Sequence, residues 1–523
     1  MLQLISIRYK LFMSNWTSGY VADIGYTYGY YKELNPQRAS LAFLNAGYVP
    51  PSLGTHCELG FGQGLSVNIH AAASGSIWYG NDFNPSQAAF AQSLAASSGA
   101  DAHLTDEAFK DFCNRTDLPE FDSIGLHGIW SWISDENRAI IVDFIRRKLK
   151  VGGVLYISYN TLPGWASFAP MRHLMTAYSS SQTANDLGIL NKIQNSLAFA
   201  DKLIQSQPQF IKSNPSIVFK LEKFKEQNPR YLAHEFFNKD WHPMYFSTVA
   251  EQLNSAKVEF VCSAHYLDFV DVINLTPVQS NLLNEISDLN FRESVRDFMI
   301  NQQFRREYWV KGPQKLTKFQ QLNLISKHRV VLTSPKSEIE LKVSGNAGQA
   351  NLSDAIYSPI LDTLSDFEIA SIEQISIAVS KFEINFDQVV QSLIILIGAG
   401  YVHSAQDETE IQKSLEITKK LNLKILQRSL FSGDILCLAS PITGGAIPVN
   451  RFQQLFLFSI NNGKPDPSEW ARAAWSTLKS EKQRLVKEGI TLESEDDNLN
   501  ELEIQAQNFA ITRLPILKAL KVA

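Results

Sequence analysis

The residues best suited to ligand chemistry lie in a glycine-rich segment near the N-terminus. Three alternating glycines follow Glu58, between an apolar run and an amphipathic stretch: Gly60, Gly62 and Gly64. This order predicts a strand, a tight turn and a helix, and glycines at such a turn let a ligand approach the backbone closely. The spacing is GxGxG because residue 65 is leucine, so it differs from the GxGxxG pattern of dinucleotide binders.

Two further acids follow where the next strands of such a fold should end. Asp82 can accept two hydrogen bonds from ribose hydroxyls. Asp106, in LTDEAF, is placed to accept from an adenine amino group, with Phe83 and Phe109 available for stacking. Glu58 has no role against a pyrophosphate, whereas carboxylates bind the cationic amino-acid moiety of S-adenosylmethionine. The set therefore favours S-adenosylmethionine as cofactor, although each acid alone could be a helix cap or a solvated turn residue.

The elements that must position these residues follow an alternating pattern over 53–160. Short apolar runs alternate there with amphipathic stretches, which predicts an α/β fold built on a largely parallel sheet. The strand-like segments are THCELG, SIWYGNDF, FDSIGLHGIW and VGGVLYISYN. Parallel strands bring their carboxyl ends to one edge of the sheet, so the glycines and Asp82 should meet there.

The rest of the chain is expected to divide into regions around this core. Residues 241–315 carry strand-like VEFVCSA and then helical ESVRDFMINQQFRREYW, and are expected to pack on the core. The tail contains SPITGGAIP, which is expected to form a loop. The predicted regions are a terminal extension at 1–13, the core at 14–165, a helical insertion at 166–240, the block at 241–315, a winged-helix-like domain at 316–427 and a mostly helical C-terminal domain at 428–523. Residues 1–13 are interpreted as lying upstream of a start at Met13 or as a frayed strand.

Longer strings resemble a known family. The chain is similar to class I S-adenosylmethionine-dependent methyltransferases that carry a methyltransferase regulatory domain, and within them to the rickettsial-type protein lysine methyltransferases. The strings that carry the resemblance include YTYGYYKELNP, CELGFGQGLSVNIHAAAS, GNDFNPSQAAFA, YLAHEFFNKDWHPMYF and LASPITGGAIPVNRFQQLF. The resemblance implies a Rossmann-like core with a mixed, mostly parallel sheet. It also implies cofactor contacts from Glu58, Gly60, Gly62 and Gly64, ribose binding by Asp82 and adenine recognition around Asp106.

Candidate residues for the methyl acceptor lie near the expected strand ends. His127 and Trp130 follow the fourth strand in LHGIWSW, where related folds bring the methyl group towards its acceptor. His127 could be a base or a hydrogen-bonded residue at a strand end. Asn160 could bind the acceptor amine or form an Asx turn. Tyr26 and Tyr28 in YTYGYY could form aromatic walls, although about half of the aromatic residues near the site are expected to be packing residues.

Aromatic walls would help a lysine acceptor lose its proton. An amine with a pKa near 10.4 is protonated at pH 7, and removing its proton there costs about 4.6 kcal/mol. A dry pocket lowers that cost because burial disfavours the ammonium, and the same rings favour a sulfonium through cation–π contact. LHG replaces the NPPY-type motif of methyltransferases that act on amides and exocyclic base amines, which weakens a nucleic-acid or glutamine assignment.

The composition of the chain argues against several classes of protein. The 523 residues carry a net charge of −5, so the basic excess that drives nucleic-acid binding is missing. The four cysteines are dispersed, which argues against a disulfide framework and a clustered metal site. No apolar run approaches the roughly 20 residues of a membrane helix, so we expect a cytoplasmic protein without nucleic-acid or membrane partners.

The leading hypothesis is a methyltransferase for protein lysines, with the regulatory and C-terminal domains forming a cleft for a polypeptide. The alternatives are a small-molecule N- or O-methyltransferase and a non-catalytic S-adenosylmethionine-binding scaffold. A homodimer is a reasonable expectation in each case.

Overall fold

The computed structural model describes residues 17, 19–20, 25, 27–181 and 188–523. Its centre is a seven-stranded sheet with the order β3-β2-β1-β4-β5-β7-β6. The strands are β1 Thr55–Leu59, β2 Ile77–Asn81, β3 Ala102–Thr105, β4 Phe121–Leu126, β5 Leu149–Asn160, β6 Val258–Ser263 and β7 Phe304–Lys311. β1 to β5 are parallel, and β7 runs antiparallel to both β5 and β6. The expected mixed, mostly parallel sheet is thus confirmed.

The block at 241–315 adds β6 and β7 to this sheet, and it corrects one element of the sequence analysis. The segment ESVRDFMINQQFRREYW was expected to be helical throughout. The helix Leu289–Ile300 ends because Asn301 adopts a left-handed conformation, with φ of 49°. The residues after it pair with β5, from Asn160 opposite Phe304 to Val154 opposite Val310.

Helices cover both faces of the sheet. Those of the core are Pro36–Ala46, Leu65–Ser74, Pro85–Ser98, Phe109–Cys113, Asp135–Lys148 and Leu162–Trp165. Those of the block at 241–315 are Phe246–Leu253, Asp271–Asn274, Pro277–Asn284 and Leu289–Ile300. The helix Leu65–Ser74, which follows the glycines, is buried along its whole length.

The inserted helices form a small aromatic core of their own. They are Ala169–Ser181, Ile189–Gln205, Gln209–Ser213, Ser216–Lys225 and Pro229–Phe236. The Phe224 ring centroid lies 4.7 Å from that of Phe168 and 4.2 Å from that of Phe236. Trp165, at the end of the core, packs on Phe236 with a centroid distance of 5.7 Å. This packing fixes the end of the insertion beside the carboxyl edge of the sheet.

The middle region has helices Lys318–Lys327, Asp354–Thr363, Ile372–Val379 and Phe386–Ala399. Strands Arg329–Leu332, Ala370–Ser371 and Val402–Ser404 form a three-stranded antiparallel sheet, and Lys342–Gly345 pairs with Gly348–Asn351. Among the described helices, no single one is long and apolar enough to cross a membrane. One pair, Ile372–Phe382 with Phe386–Ala399, meets the requirement only when taken together, and it is bent by 117°.

The C-terminal region packs directly on the core. Its helices are Glu408–Ser429, Arg451–Asn461, Pro467–Ser480, Glu495–Asn508 and Leu514–Ala519, and Val486–Lys487 pairs with Ile490–Thr491. The first helix spans the boundary expected at 427. On this helix the Thr418 hydroxyl donates to the Ala72 carbonyl over 3.0 Å. SPITGGAIP is not a simple loop, because Cys437–Ser440 and Gly445–Pro448 pair as a hairpin.

Candidate active site

A cavity of about 550 Å³ opens at the carboxyl edge of the sheet, beyond β1, β2 and β4. Its volume falls in the range of about 300–1,000 Å³ that is typical of ligand sites. The core and the end of the inserted helices both contribute to its wall. Among the lining residues are Tyr20, Tyr31, Gly60, Gly62, Asp82, Phe83, His127, Trp132, His234 and Glu235.

The glycine turn forms one wall of this cavity. Gly60 and Gly62 have φ of 68° and 59°, in the left-handed region that favours glycine. A Cβ atom on Gly60 would lie 3.0 Å from Cγ2 of Ile129, which also lines the cavity. The backbone N–H of Gly60 donates to the Asn81 carbonyl over 2.8 Å. The turn is therefore tied to the end of β2 and leaves space that a side chain would fill.

Gly64, the third glycine of the motif, packs against a neighbouring helix. It precedes the helix Leu65–Ser74 with φ of 67°, and a Cβ atom there would lie 2.4 Å from the Cβ of Ala91. Gly64 therefore permits close packing of two helices, whereas Gly60 and Gly62 line the cavity. The cofactor contact that the resemblance implies for Gly64 stays a prediction.

Asp82 lies where the sequence predicts it, in the cavity wall at the end of β2. Its Oδ2 accepts from the Gly62 N–H over 2.9 Å, and its Oδ1 accepts from the Asn84 N–H over 3.0 Å. The side chain is 7% exposed, and burial raises its pKa to about 7. A carboxylate has about four acceptor positions, so two remain for ligand hydroxyls.

Glu58 lies in β1, below the glycine turn, and is 2% exposed. Its Oε2 has no hydrogen-bond partner in the described part of the chain. Burial, together with the smaller effect of the nearby Asp82 charge, raises the pKa of Glu58 to about 8. A buried acceptor without a partner is normally satisfied by water or a ligand. Glu58 itself lies outside the cavity wall, so Asp82 provides the acceptors that face a ligand with hydroxyl donors.

His127 lies in the cavity wall within a group of stacked rings. Its ring centroid is 3.6 Å from that of Tyr31, with an interplanar angle of 17°. Its Nδ1 lies 2.8 Å from the Tyr156 hydroxyl oxygen. Burial lowers the pKa of His127 to about 4, so the imidazole is neutral at pH 7. It can accept or donate one hydrogen bond, but it carries no charge.

Three predicted acceptor residues lie elsewhere. Trp130 is fully buried in the core, where its Nε1 donates to Gln252 Oε1 over 3.2 Å. Tyr28 faces the C-terminal region, and its hydroxyl accepts from Arg428 Nη2 over 2.9 Å. Asn160 is buried, with its backbone bonded to Ser131 Oγ and to the Met244 N–H. None of the three lines the cavity, so the structure gives their predicted catalytic roles no support, and those roles stay predictions. Tyr26 lies outside the described residues.

Asp106, which was predicted to bind the adenine amino group, does not line the cavity. Asp106 is exposed, and the cavity wall after β3 consists instead of Ala108, Phe109 and the two residues that follow. The Asn81 amide donates to the carbonyl of Glu107 over 2.9 Å and so fixes this loop against β2. Phe83 lines the cavity as predicted.

Three wall residues were not predicted from the sequence, namely Tyr20, His234 and Glu235. The Tyr20 ring meets Phe83 edge to face, with centroids 5.5 Å apart, and lies 5.5 Å from the His234 ring. Trp132 Nε1 donates to the Glu235 carbonyl over 2.9 Å. The only sequence signal for His234 and Glu235 was the string YLAHEFFNKDW, which carries part of the family resemblance. The resemblance assigned neither residue a role.

Comparisons with known proteins agree with this architecture. The family described as "Predicted methyltransferase regulatory domain" matches residues 228–311, which include β6, β7 and the wall segment at 234–240. The uncharacterized protein sll1526 of Synechocystis sp. is 40% identical over 513 residues, covering 97% of this chain and 100% of that one. The chain belongs to the same family as this Synechocystis protein, and its residues 228–311 match the methyltransferase regulatory domain. A second relative is the uncharacterized protein RP789 of Rickettsia prowazekii, 22% identical over 75% of this chain and 74% of that one.

A solved structure shows the same fold over almost the whole chain. It is PKMT2 from Rickettsia typhi in complex with AdoHcy, 16% identical to this chain, with a TM-score of 0.69. The match covers 95% of this chain and 100% of that one. The class I methyltransferase fold, with its appended regions, is therefore shared by the two proteins.

Proposed function

We propose that the methyltransferase transfers methyl groups from S-adenosylmethionine to lysine side chains of a protein substrate. The observation that carries this proposal is the cavity at the carboxyl edge of the sheet, where the glycine turn, Asp82 and a wall from the regulatory domain meet. The complex of Rickettsia typhi PKMT2 with AdoHcy, the demethylated form of this cofactor, supports the same donor.

The residues of the chain fit the donor. Asp82 accepts the ribose hydroxyls, and Gly60 and Gly62 let the ligand approach the backbone. Tyr20 and Phe83 provide aromatic surface beside them. When bound, S-adenosylmethionine supplies an electrophilic methyl group. Transfer is an in-line displacement, so the protein chiefly has to hold donor and acceptor close and aligned.

Cofactor binding is expected to strengthen about tenfold between pH 6 and pH 8. Ribose hydroxyls favour the ionised form of Asp82, whose pKa in the ligand-free protein is about 7. Below that pH the carboxyl must lose a proton on binding, which weakens the affinity about tenfold per pH unit, and above it this penalty disappears. Calorimetric titration with S-adenosylhomocysteine across this range measures the slope. Asp82→Asn should flatten it, and a wild-type profile as flat as that of the variant would contradict the assignment.

The acceptor side of the cavity is aromatic and contains an acid. Tyr31, Trp132 and Glu235 line it together with the neutral His127. With a pKa of about 4, His127 cannot be the base for an amine, because that transfer is uphill by roughly 9 kcal/mol from a pKa near 10.4. It instead positions the amine by a hydrogen bond, and burial among aromatic rings lowers the pKa of the ammonium.

The sequence analysis placed the polypeptide between the regulatory and C-terminal domains, and we propose here that the regulatory domain alone borders its path. The wall opposite the core is formed by residues 234–240 of the regulatory domain, whereas the C-terminal region packs on the helix Leu65–Ser74. We therefore assign recognition of the substrate to the regulatory domain. The C-terminal region supports the helix that follows the glycine turn.

Transfer of a labelled methyl group tests this proposal. The full chain is incubated with methyl-labelled S-adenosylmethionine and a cell lysate, and labelled bands are hydrolysed to identify the modified amino acid. We expect labelled protein containing methyl-lysine, and no label with Asp82→Ala. Label confined to small molecules would indicate a metabolite methyltransferase. No transfer despite cofactor binding would indicate a scaffold.

A further inference from the structure

A second cavity, of about 310 Å³, lies between the helix Leu289–Ile300 of the regulatory domain and the strands β6 and β7. One face of the helix Leu289–Ile300 lines it, since residues 292, 293, 296, 297 and 300 all contribute. The opposite wall comes from β6, β7 and the segment after β6. The cavity shares no lining residue with the cofactor cavity.

The floor of this cavity is a buried ionic network. Arg305, which is 7% exposed, bonds Asp297 Oδ1 and Glu293 Oε2 at 2.6 Å each, and it also bonds Glu307. Trp309 Nε1 donates to Glu307 over 2.9 Å. Buried charges are costly unless paired, so this network requires a fixed geometry. The floor is therefore a rigid, preformed polar surface.

Two groups at this cavity remain without partners. Oδ2 of Asp297, a residue only 2% exposed, has no hydrogen-bond partner among the residues that the structure describes. The Arg292 guanidinium makes no ion pair or hydrogen bond within the described ranges, whereas Arg296 pairs with Asp271 and Arg306 with Glu33. The cavity thus offers one unsatisfied acceptor on its floor and one unpaired cation on its wall.

The same cavity has an apolar part. Phe260, Val261, Leu289 and Ile300 line it beside the charged groups. A ligand that uses all three features carries an amine, an acid and an apolar group. Burial raises the pKa of Asp297 to about 7, and a bound ammonium would favour its ionised form.

We propose that this cavity binds a free α-amino acid with an apolar side chain, its ammonium on Asp297 Oδ2 and its carboxylate on Arg292. One chain of charged groups connects this cavity with the cofactor cavity. Arg306, in the cavity wall, pairs with Glu33 over 3.2 Å, and the charge of Glu33 acts on His127. The proposal concerns binding in the cofactor-free protein, so it stands or fails separately from methyl transfer.

Thermal unfolding of the full chain without cofactor tests the proposal. L-Leucine, L-methionine and L-phenylalanine are added singly at 10 mM. At least one is expected to raise the unfolding midpoint by about 2 °C or more, because a ligand that binds only the folded state stabilises it. The N-acetyl and amide derivatives of that amino acid should cause no shift, since each lacks one of the two charges.

Two matched variants separate this site from general effects. Arg292→Gln should unfold at the wild-type temperature without ligand and lose the ligand-induced shift. Arg472→Gln makes the same charge change on the exposed face of the helix Pro467–Ser480 and should keep the shift. The proposal is overturned if none of the three amino acids raises the midpoint, if the capped derivatives act equally, or if Arg292→Gln retains the shift.

Discussion

Replacing Asp82 with alanine is expected to weaken the binding of S-adenosylhomocysteine at least about 100-fold. Hydrogen bonds to a charged acceptor contribute about 1.5–3 kcal/mol each, and the ribose supplies two donors. A loss of about 2.7 kcal/mol corresponds to the stated factor. The substitution also removes the acceptor of the Gly62 N–H, which loosens the turn that faces the ligand. Calorimetric titration of both proteins at pH 8 measures the change.

Asp82→Asn is the matched control for this experiment. It keeps the size of the side chain and one acceptor oxygen, so its affinity should lie between those of the wild type and Asp82→Ala. Both variants should remain folded, because removing a carboxyl whose pKa is raised by burial removes a desolvation cost. An Asp82→Ala affinity within threefold of the wild type would contradict the ribose assignment.

Gly64→Ala is expected to destabilise the protein by about 2–5 kcal/mol. A left-handed conformation costs a non-glycine residue roughly 1–2 kcal/mol, and overpacking costs about 1–3 kcal/mol more. The new Cβ atom would lie 2.4 Å from the Cβ of Ala91 and 3.3 Å from its Cα, so a helix must move. Chemical denaturation followed by tryptophan fluorescence measures the shift.

Gly99→Ala separates the two causes. Gly99 has φ of 72°, similar to that of Gly64, but a Cβ atom there would meet nothing within 4 Å. Its cost should therefore be the backbone part alone, about 1–2 kcal/mol. Adding Ala91→Gly to Gly64→Ala should restore part of the lost stability. If Gly64→Ala costs no more than Gly99→Ala, the close contact between these helices is not what requires the glycine.

The sequence predicted the parts of the site that local pattern determines. The turn with Gly60 and Gly62 and the acid at the end of β2 follow from alternating apolar and amphipathic segments, which also predict parallel strands. Glu58 was identified as well, although it lies below the turn and not in the cavity wall. These features depend on neighbours within about 30 residues.

The aromatic segment YTYGYY shows why the rest could not be predicted. Within residues 27–31, Thr27, Gly29 and Tyr31 line the cavity, whereas Tyr28 and Tyr30 pack against the C-terminal region. Successive side chains of an extended chain point to opposite sides. A shift of one residue therefore decides which tyrosines are predicted to face the cavity. The choice is made by Arg428, 400 residues away, which bonds the Tyr28 hydroxyl.

Long-range packing also explains the other differences between the predicted and the observed cavity wall. His234 and Glu235 reach the cavity only because the inserted helices pack on Trp165. Of the two tryptophans in LHGIWSW, Trp132 lines the cavity and Trp130 is in the core. A short 3₁₀ turn at Trp130–Trp132 sets their directions, and the sequence pattern of strands and helices does not specify such a turn.

The crystal structure of the full chain with S-adenosylhomocysteine tests the central claim most directly. The account predicts the ligand in the cavity beyond β1, β2 and β4, with both ribose hydroxyl oxygens within about 3.2 Å of the Asp82 carboxylate. The homocysteine sulfur should face the space between His127 and Glu235. A ligand bound elsewhere, or a ribose that makes no contact with Asp82, would contradict it.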